Sequence, residues 1–303
     1  MLEDLINKGR DESSIEFNNL FSYTCKDCDN TFSSTNKKEN NCIYCGSKNI
    51  NFIKNYDFSN YFIIPFNVKL EEVKKIYKKK VKFNPLIPIR FKKRTTIDSI
   101  SKVYFPTYLI NANYMGKVTY LAGDKNKVVK NKEKLIEFKK YNVESDINFD
   151  YDNILMNAYS KIGEREFSKV FSFDYNKIQK IDEEYLKKSF IMTPDISEKE
   201  ITDTVRERVI NNSLSIVRKG IKHELKKLEN NDTKIKLEDV KQLLVPVYFI
   251  NLRYRDNNYH FLINGTNKNI YYNFPIGIIE TIIFIILMFG IIFGISYFIA
   301  TIL

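Results

Sequence analysis

Cys25-Lys26-Asp27-Cys28 and Cys42-Ile43-Tyr44-Cys45-Gly46 contain all four cysteines of this 303-residue chain. Their spacing is C-x2-C-x13-C-x2-C, and two such turns place four thiolates at the corners of a tetrahedron, the geometry of structural zinc sites. Gly46 suits the tight turn after the second pair, and Asp29 holds the equivalent place after the first pair. The spacing therefore predicts a zinc ribbon over residues 22–56.

Two alternatives to zinc remain for these cysteines: a pair of disulfides or a redox-active thiol pair. Disulfides require an oxidising compartment, which the topology argued below disfavours. If cysteine supplies all four ligands, no position is open for water or substrate, so we expect the zinc to be structural and to stabilise the fold. The predicted ligands are Cys25, Cys28, Cys42 and Cys45. Such a ribbon can bind nucleic acid or protein, or hold a terminus in place.

The C-terminal segment has the composition of a membrane span. Residues Thr281–Leu303 include no charged side chain, and a helix needs roughly 20 apolar residues to cross the hydrocarbon core of a bilayer. We predict a single transmembrane helix over residues 276–303. A buried core helix is the alternative, although a helix that is apolar on all sides is unusual in a domain of this size.

The N-terminus predicts the orientation of this span. Met1–Asp4 is acidic and polar, without the apolar region of a signal peptide. We therefore expect a single-pass protein of the cell membrane with its N-terminal bulk in the cytoplasm. Arg253, Arg255 and Lys268 precede the span, as expected from the excess of positive charge on the cytoplasmic side of membrane proteins.

Positive charge is concentrated in one part of the chain. The net charge is +11, and much of the excess lies between Leu70 and Lys140. Asn67 can cap a helix that runs to about Lys80, with acidic residues in its first turn and an apolar face that includes Val73. We consider contact with anionic lipid or, as the alternative, with nucleic acid; a solvated face is the plain interpretation. The candidate contact residues are Lys74, Lys75, Lys78, Lys79, Lys80, Lys82, Arg90, Lys92, Lys93 and Arg94.

Two aromatic segments, Val103–Tyr114 and Leu243–Tyr254, share Pro, Tyr, Ile, Asn and Tyr in the same register. Each is followed by turn residues, at Met115-Gly116 and at Asp256-Asn257-Asn258, and then by a second aromatic stretch. This pattern predicts two repeated β-hairpins, with chance similarity as the alternative.

Strand alternation predicts the two faces of these segments. The expected core residues are Tyr108, Ile110, Ala112, Tyr114, Tyr248, Ile250, Leu252 and Tyr254. The residues expected on the wetter face are Asn111, Asn113, Asn251 and Arg253.

Capping and charge patterns predict the structure of the remaining segments. Ser197-Glu198-Lys199-Glu200 is a capping box, which predicts a helix that carries Ile201, Val205 and Val209 and ends at Gly220. The charged segment Lys222–Asn230 is predicted to continue that helix or to form a second helix. We expect polar connectors at Val143–Asp152 and Glu229–Asp232.

The resulting fold class is α+β, in four regions. They are an N-terminal polar segment (1–21), the zinc ribbon (22–56), an α+β domain with an internal duplication (57–275, with halves at about 60–140 and 185–275) and the transmembrane helix (276–303).

The order of these features resembles the bacterial membrane-anchored proteins described as TFIIB-type zinc ribbon-containing, which are often mislabelled as PriA-like replication-restart helicases. The matching landmarks are Cys25, Cys28, Cys42, Cys45, Pro65, Phe66, Tyr104, Pro106, Tyr108, Pro246, Tyr248, Asn264, Gly265 and Pro275. The resemblance implies no enzymatic activity. It implies a membrane adaptor that recruits a soluble protein partner, in the setting of membrane stress.

The residues themselves also favour a non-enzymatic protein. The sequence lacks the G-x-x-x-x-G-K-[ST] motif that a P-loop helicase requires, and it contains no H-E-x-x-H or G-x-S-x-G motif. We expect His223 to be a solvated surface residue and His260 to be a packing residue in a strand. The function predicted from sequence is a zinc-ribbon adaptor tethered to the membrane; a zinc-ribbon nucleic-acid-binding protein held at the membrane is the alternative.

Overall fold

The computed structural model describes residues 20–130, 133–255 and 257–302. These residues form an α+β protein in two compact units, and each unit is described by itself. Unit 1 comprises the described residues up to Pro106, Lys161–Thr193 and those from Leu244 onward; unit 2 comprises Thr107–Ser160 and Pro194–Leu243. This division differs from the predicted halves at 60–140 and 185–275. The predicted N-terminal segment lies outside the described residues up to position 19.

The strands and helices have the following bounds. The strands are β1 (Phe21–Cys25), β2 (Thr31–Ser34), β3 (Ile50–Ile53), β4 (Phe62–Ile63), β5 (Thr96–Lys130), β6 (Glu133–Asn157), β7 (Gln179–Lys180), β8 (Phe190–Met192), β9 (Leu225–Tyr254), β10 (Asn257–Asn264) and β11 (Ile270–Tyr272). The helices are α1 (Leu70–Phe83), α2 (Ile89–Arg94), α3 (Glu164–Val170), α4 (Glu183–Leu186), α5 (Glu198–Gly220) and α6 (Ile278–Ile302).

Unit 1 is built on one continuous sheet with the strand order β11-β10-β9-β5-β8-β2-β1-β3. Strands β1 to β3, which flank the cysteine turns, therefore form the end of this sheet. The connection is β8, whose Ile191 pairs with Ser33 of β2 on one side and in parallel with Tyr104 of β5 on the other. Within the predicted ribbon, β2 lies between the two cysteine pairs and β3 follows the second pair.

The β9–β10 hairpin is covered on both of its faces. On one face, Ile250 pairs with Phe261, and both are fully buried against Val73 and Tyr77 of α1 and Phe91 of α2. Burial of each large apolar side chain in this cluster stabilises the fold by about 2 kcal/mol. The predicted hairpin at Leu243–Tyr254 is confirmed, and so is the core assignment of Tyr248, Ile250 and Leu252. Tyr254, also predicted in the core, is only half-buried at the edge of this cluster.

The helix predicted from Asn67 begins later than expected. The backbone N–H groups of Asn67 and Val68 both donate to the carbonyl of Gly265 at 2.9 Å, which holds these residues out of the helix. Lys69 is the N-cap instead, and the Glu72 carboxylate accepts from its N–H at 3.3 Å. The β10 turn therefore overrides the local capping signal.

Unit 2 packs α5 against strands β6, β5 and β9. The capping box is confirmed, because Ser197 Oγ accepts from the N–H of Glu200 at 3.2 Å. Ile201, Val205 and Val209 of α5 are buried as predicted. They pack on one face of β5, where the predicted core residues are also buried: Tyr108, Ile110, Ala112 and Tyr114.

The turn predicted at Met115-Gly116 is wrong. Strand β5 continues through these residues to Lys130, and Gly116 pairs with Ile147 of β6. Gly116 has a φ of +140°, and a Cβ there would lie 2.6 Å from Thr233 Cα of β9. Glycine is therefore needed here because it lets the backbones of β5 and β9 approach closely. The first predicted hairpin is absent at this position, so the repeat is not confirmed.

Three charged segments were also misassigned. Val143–Asp152 lies in β6, whereas Glu229–Asp232 and most of the predicted helix at Lys222–Asn230 lie in β9. In Val143–Asp152 exposed residues alternate with half-buried ones, whereas residues 227–232 of β9 are all exposed. Such polar stretches of extended strand resemble solvated connectors in the sequence. His223 precedes β9 instead of lying in a helix, and its Nδ1 is 2.8 Å from Asp124 Oδ2.

Gly116→Ala should destabilise the protein. The substitution combines an unfavourable positive φ with overlap between Cβ and the β9 backbone, and we expect a loss of at least about 2 kcal/mol in the free energy of unfolding. Urea unfolding of the detergent-solubilised full chain, followed by circular dichroism, measures this loss. Gly220→Ala is the matched control, because a Cβ there meets nothing within 4 Å. Equal midpoints for both variants would contradict the strand assignment.

Candidate metal centre

The structure brings the four cysteines together. Cys25 ends β1, Cys28 lies in the following turn, and Cys42 and Cys45 lie in the turn before β3. Their four Sγ atoms are all within 4.8 Å of one another. The Sγ atoms of Cys25 and Cys45 are 3.7 Å apart, and those of Cys28 and Cys42 are also 3.7 Å apart.

These distances fit a tetrahedral metal site. Metal–sulfur bonds of about 2.3 Å imply a separation of about 3.8 Å between sulfur atoms at the corners of the tetrahedron. The observed 3.7 Å agrees with that value and is far longer than the roughly 2.05 Å of a disulfide bond. Four thiolates are soft ligands, which favour zinc or iron over hard cations such as magnesium. The residues present therefore fit a metal ion with no open coordination position.

Both turns around the sulfurs adopt the same backbone geometry. Asp29 has a φ of +52° and Gly46 a φ of +75°. The N–H of Asp29 donates to the carbonyl of Cys25 at 2.9 Å, and the N–H of Gly46 donates to the carbonyl of Cys42 at 2.8 Å. The equivalence predicted from the sequence is confirmed. Aspartate tolerates this left-handed conformation better than most residues other than glycine, although at some cost.

The surroundings of two of the cysteines, Cys28 and Cys45, disfavour the thiolate form unless a cation is bound. Burial raises the pKa of the Cys45 thiol to about 11, and it raises the pKa of Cys28 further still. Four thiolates at this separation repel one another, so a metal ion is needed to hold them deprotonated together. Metal binding at this site should therefore release protons.

The second cysteine turn rests on the β9–β10 hairpin, on the face opposite α1. Asn251 Nδ2 donates to the carbonyl oxygens of Ile43 at 3.1 Å and Tyr44 at 2.9 Å. Asn258 Nδ2 donates to the carbonyl of Cys45 at 3.1 Å. Asn251 was expected on the wet face, and this expectation is wrong: it is 3% exposed because the ribbon covers it. No local signal in β9 indicates that a segment 208 residues away supplies the cover.

An aromatic cluster completes this contact. The Tyr44 ring centroid lies 5.8 Å from that of Phe249 and 4.9 Å from that of His260, while Phe249 and His260 are 4.8 Å apart. His260 is a packing residue, as its place in an aromatic strand predicted. Its buried Nδ1 has no hydrogen-bond partner among the described residues. Burial lowers the pKa of His260 to about 4.

The ten candidate basic residues lie on α1 and α2, away from the cysteines in sequence and on the other face of the hairpin. Nine of them are exposed. Lys92 is the exception: it is half-buried, and its Nζ donates to the carbonyl oxygens of Lys82 at 3.3 Å and Asn84 at 2.6 Å. Lys92 therefore joins the two helices, in addition to contributing charge.

The C-terminal helix α6 is long and apolar enough to cross a membrane. Residues Ile278–Thr301 have a mean hydropathy of 2.8, and no part of this stretch is buried within the protein. Its first turn is held to unit 1 by two contacts. The N–H of Gly277 donates to the carbonyl of Leu86 at 2.9 Å, and Glu280 Oε1 accepts from the N–H of Ile89 at 3.0 Å.

Comparison with known proteins finds no matching family model, no matching curated protein and no matching solved structure. The resemblance to membrane-anchored zinc-ribbon proteins thus stays a prediction.

The full chain should bind one metal ion at the four cysteines. Cys28→Ser replaces a thiolate with a poor ligand, and we expect metal affinity to fall more than about 100-fold. Atomic emission gives the metal and its stoichiometry, and the sulfur-to-metal absorption of the cobalt(II)-substituted protein gives the ligands. Lys48→Ser, an exposed position in the same ribbon, is the control and should bind normally. A disulfide between these thiols in intact cells would contradict the prediction.

His260→Phe should reduce the sensitivity of the fold to acid. Because the pKa of His260 is about 4 in the folded state and about 6.5 when unfolded, only the unfolded chain gains a proton between these values. The unfolding free energy should therefore fall as the pH drops from 6.5 to 4, by at most about 3 kcal/mol.

The phenylalanine variant keeps the ring against Tyr44 and Phe249 but cannot be protonated. The measurement is the difference in urea midpoint between wild type and variant across this pH range, referenced to pH 7.5. A constant difference would show that the histidine is already solvated in the folded protein.

Proposed function

We propose that this chain is a non-enzymatic adaptor, tethered to the cell membrane by α6, with its folded part in the cytoplasm. The zinc ribbon presents a binding surface to a protein partner, and recruitment of that partner to the membrane is the function. Zinc is the proposed metal because four cysteine ligands leave no open coordination position, as in structural zinc sites. An adaptor also has no need for a redox-active metal.

The observation that carries this proposal is the integration of the ribbon into unit 1. Strands β1 to β3 extend the sheet whose β9–β10 hairpin packs on the cysteine turn. The same unit holds the first turn of α6 through Leu86 and Ile89. A ribbon fixed in this way cannot swing freely on a linker, so a partner bound to it is held at a defined position near the bilayer.

The outer end of the ribbon offers a surface for such a partner. Strand β3 is the last strand of the sheet and pairs with β1 alone among the described strands. Its Phe52 is 60% exposed and lies 6.3 Å from the half-buried ring of Phe21. An exposed aromatic pair beside an open strand edge suits a partner segment that adds a strand and packs an apolar residue on the rings.

Nucleic acid is the second candidate partner, favoured by the exposed lysines of α1. Those lysines are on the helices and not on the ribbon, so the cysteine ribbon would not recognise a nucleic acid that is bound there. The two functions therefore depend on different residues and can be separated by substitution.

The test is affinity purification of the full chain from detergent-solubilised native membranes. We expect a protein that co-purifies in a stoichiometric amount with wild type, is lost with Phe52→Ser because the aromatic surface is gone, and is lost with Cys28→Ser because the ribbon is no longer held by metal. Ile216→Ser is the matched control, since Ile216 is also an exposed apolar residue but belongs to α5 in unit 2.

Retention of every co-purifying protein by the Phe52→Ser variant would contradict the adaptor proposal. Salt-sensitive binding of DNA that survives both ribbon substitutions and is lost on Lys74→Glu with Lys78→Glu would establish the nucleic-acid alternative instead.

A further inference from the structure

The start of α6 lies beside the junction of α1 and α2. Gly277 contacts Leu86 and Glu280 contacts Ile89, so the loop between the two helices sits where the apolar helix leaves the folded part. Lys92 ties α2 to the last turn of α1 through two carbonyl oxygens. Lys92 and Arg90 also attract the Glu280 carboxylate electrostatically. This junction is therefore a braced part of unit 1.

Exposed apolar side chains surround this junction. Phe83, the last residue of α1, is 70% exposed, and Ile89, the first residue of α2, is 56% exposed. Ile276, just before α6, is 70% exposed. Three large apolar side chains left in water at one place have no packing role within the protein, and such exposure marks a surface that is covered by something else.

The charges around these side chains are mostly positive, and Glu280 is the acidic residue that contacts Ile89. Residues 74–94 contain ten basic and no acidic side chains. Lys82 Nζ lies 5.3 Å from the centre of the Phe83 ring. Exposed apolar tips ringed by lysine and arginine fit the headgroup layer of an anionic bilayer, where rings enter the interface and long basic side chains reach the phosphates. We call this surface the α1–α2 corner; its residues are Phe83, Ile89, Ile276, Lys82, Arg90, Lys93 and Arg94.

We infer that the α1–α2 corner is a second membrane contact, which sits in the anionic headgroup layer of the same bilayer that α6 crosses. The bilayer is the partner that the location of the corner favours. Gly277 and Glu280 hold the start of α6 to the corner, so the surface of a bilayer that α6 crosses lies beside it. This inference rests on the proposed membrane span. It adds that the folded part lies against the lipid through α1 and α2, which leaves the ribbon on the opposite face of the β9–β10 hairpin free for a partner.

Tryptophan fluorescence of the full chain in vesicles tests this inference, because the sequence contains no tryptophan. Phe83→Trp and Ile89→Trp place a single probe in the corner, and Phe52→Trp places one on the ribbon as the matched control. Each variant is reconstituted into phosphatidylcholine vesicles with or without phosphatidylglycerol, using lipids brominated near the headgroup. In vesicles with phosphatidylglycerol, we expect the emission of the two corner probes to be roughly halved and blue-shifted, because interfacial rings lie at that depth. The Phe52→Trp probe should be unaffected.

A second variant, with reversed charges in the corner, tests whether the contact requires anionic lipid. Lys82→Glu, Lys93→Glu and Arg94→Glu in the Phe83→Trp background should abolish the quenching, while α6 keeps the protein in the vesicle. Quenching that is equal in pure phosphatidylcholine, or absent in both lipids, would overturn the inference, as would a blue shift produced by DNA alone. A chain that is extracted from the vesicles at alkaline pH would refute the anchor itself, and with it the proposed function. Loss of quenching in a chain that stays inserted refutes only the corner.

Discussion

The burial of the β9–β10 hairpin on both of its faces is the constraint on which the rest of unit 1 depends. Alternate residues of one strand serve two different layers: Ile250 packs on the helices, whereas Asn251 binds the cysteine turn. A shift of one residue in this pairing would exchange the two faces and lose both sets of contacts. The hairpin therefore couples the geometry of the sulfur ligands to the position of α1, α2 and the start of α6.

Features with a local cause could be predicted from the sequence. The cysteine cluster, the Ser197 capping box and the apolar C-terminal helix each depend on residues that are close together in the sequence. All three are present in the structure. The twofold alternation in Val103–Tyr114 and Leu243–Tyr254 likewise predicted buried residues correctly at seven of eight positions, but it did not predict that the other face of β9 is buried as well. Metal identity and membrane insertion depend on components beyond the chain and stay predictions.

Features with a distant cause could not be predicted. Gly116 has the sequence context of a turn, but the backbone of Asp232 and Thr233 on another strand is what requires glycine there. Asn67 has the chemistry of a helix cap, but its N–H is taken by Gly265. Asn251 has the polarity of a surface residue, but a turn from the other end of the chain covers it. In each case a tertiary contact decides the outcome, and a single sequence contains no direct signal for it.

The distance along the chain between Asn251 and the turn that it supports has a consequence for biosynthesis. A ribosome that adds about 5–20 residues per second needs about 10–40 s to cover the 208 residues between Ile43 and Asn251. During that time the cysteine turn has emerged without its docking surface, and its thiols are open to oxidation or to the wrong ion. Correct metal loading is thus favoured late in synthesis, and a cell that produces this chain benefits from a reducing compartment or a metal donor that protects the nascent ribbon.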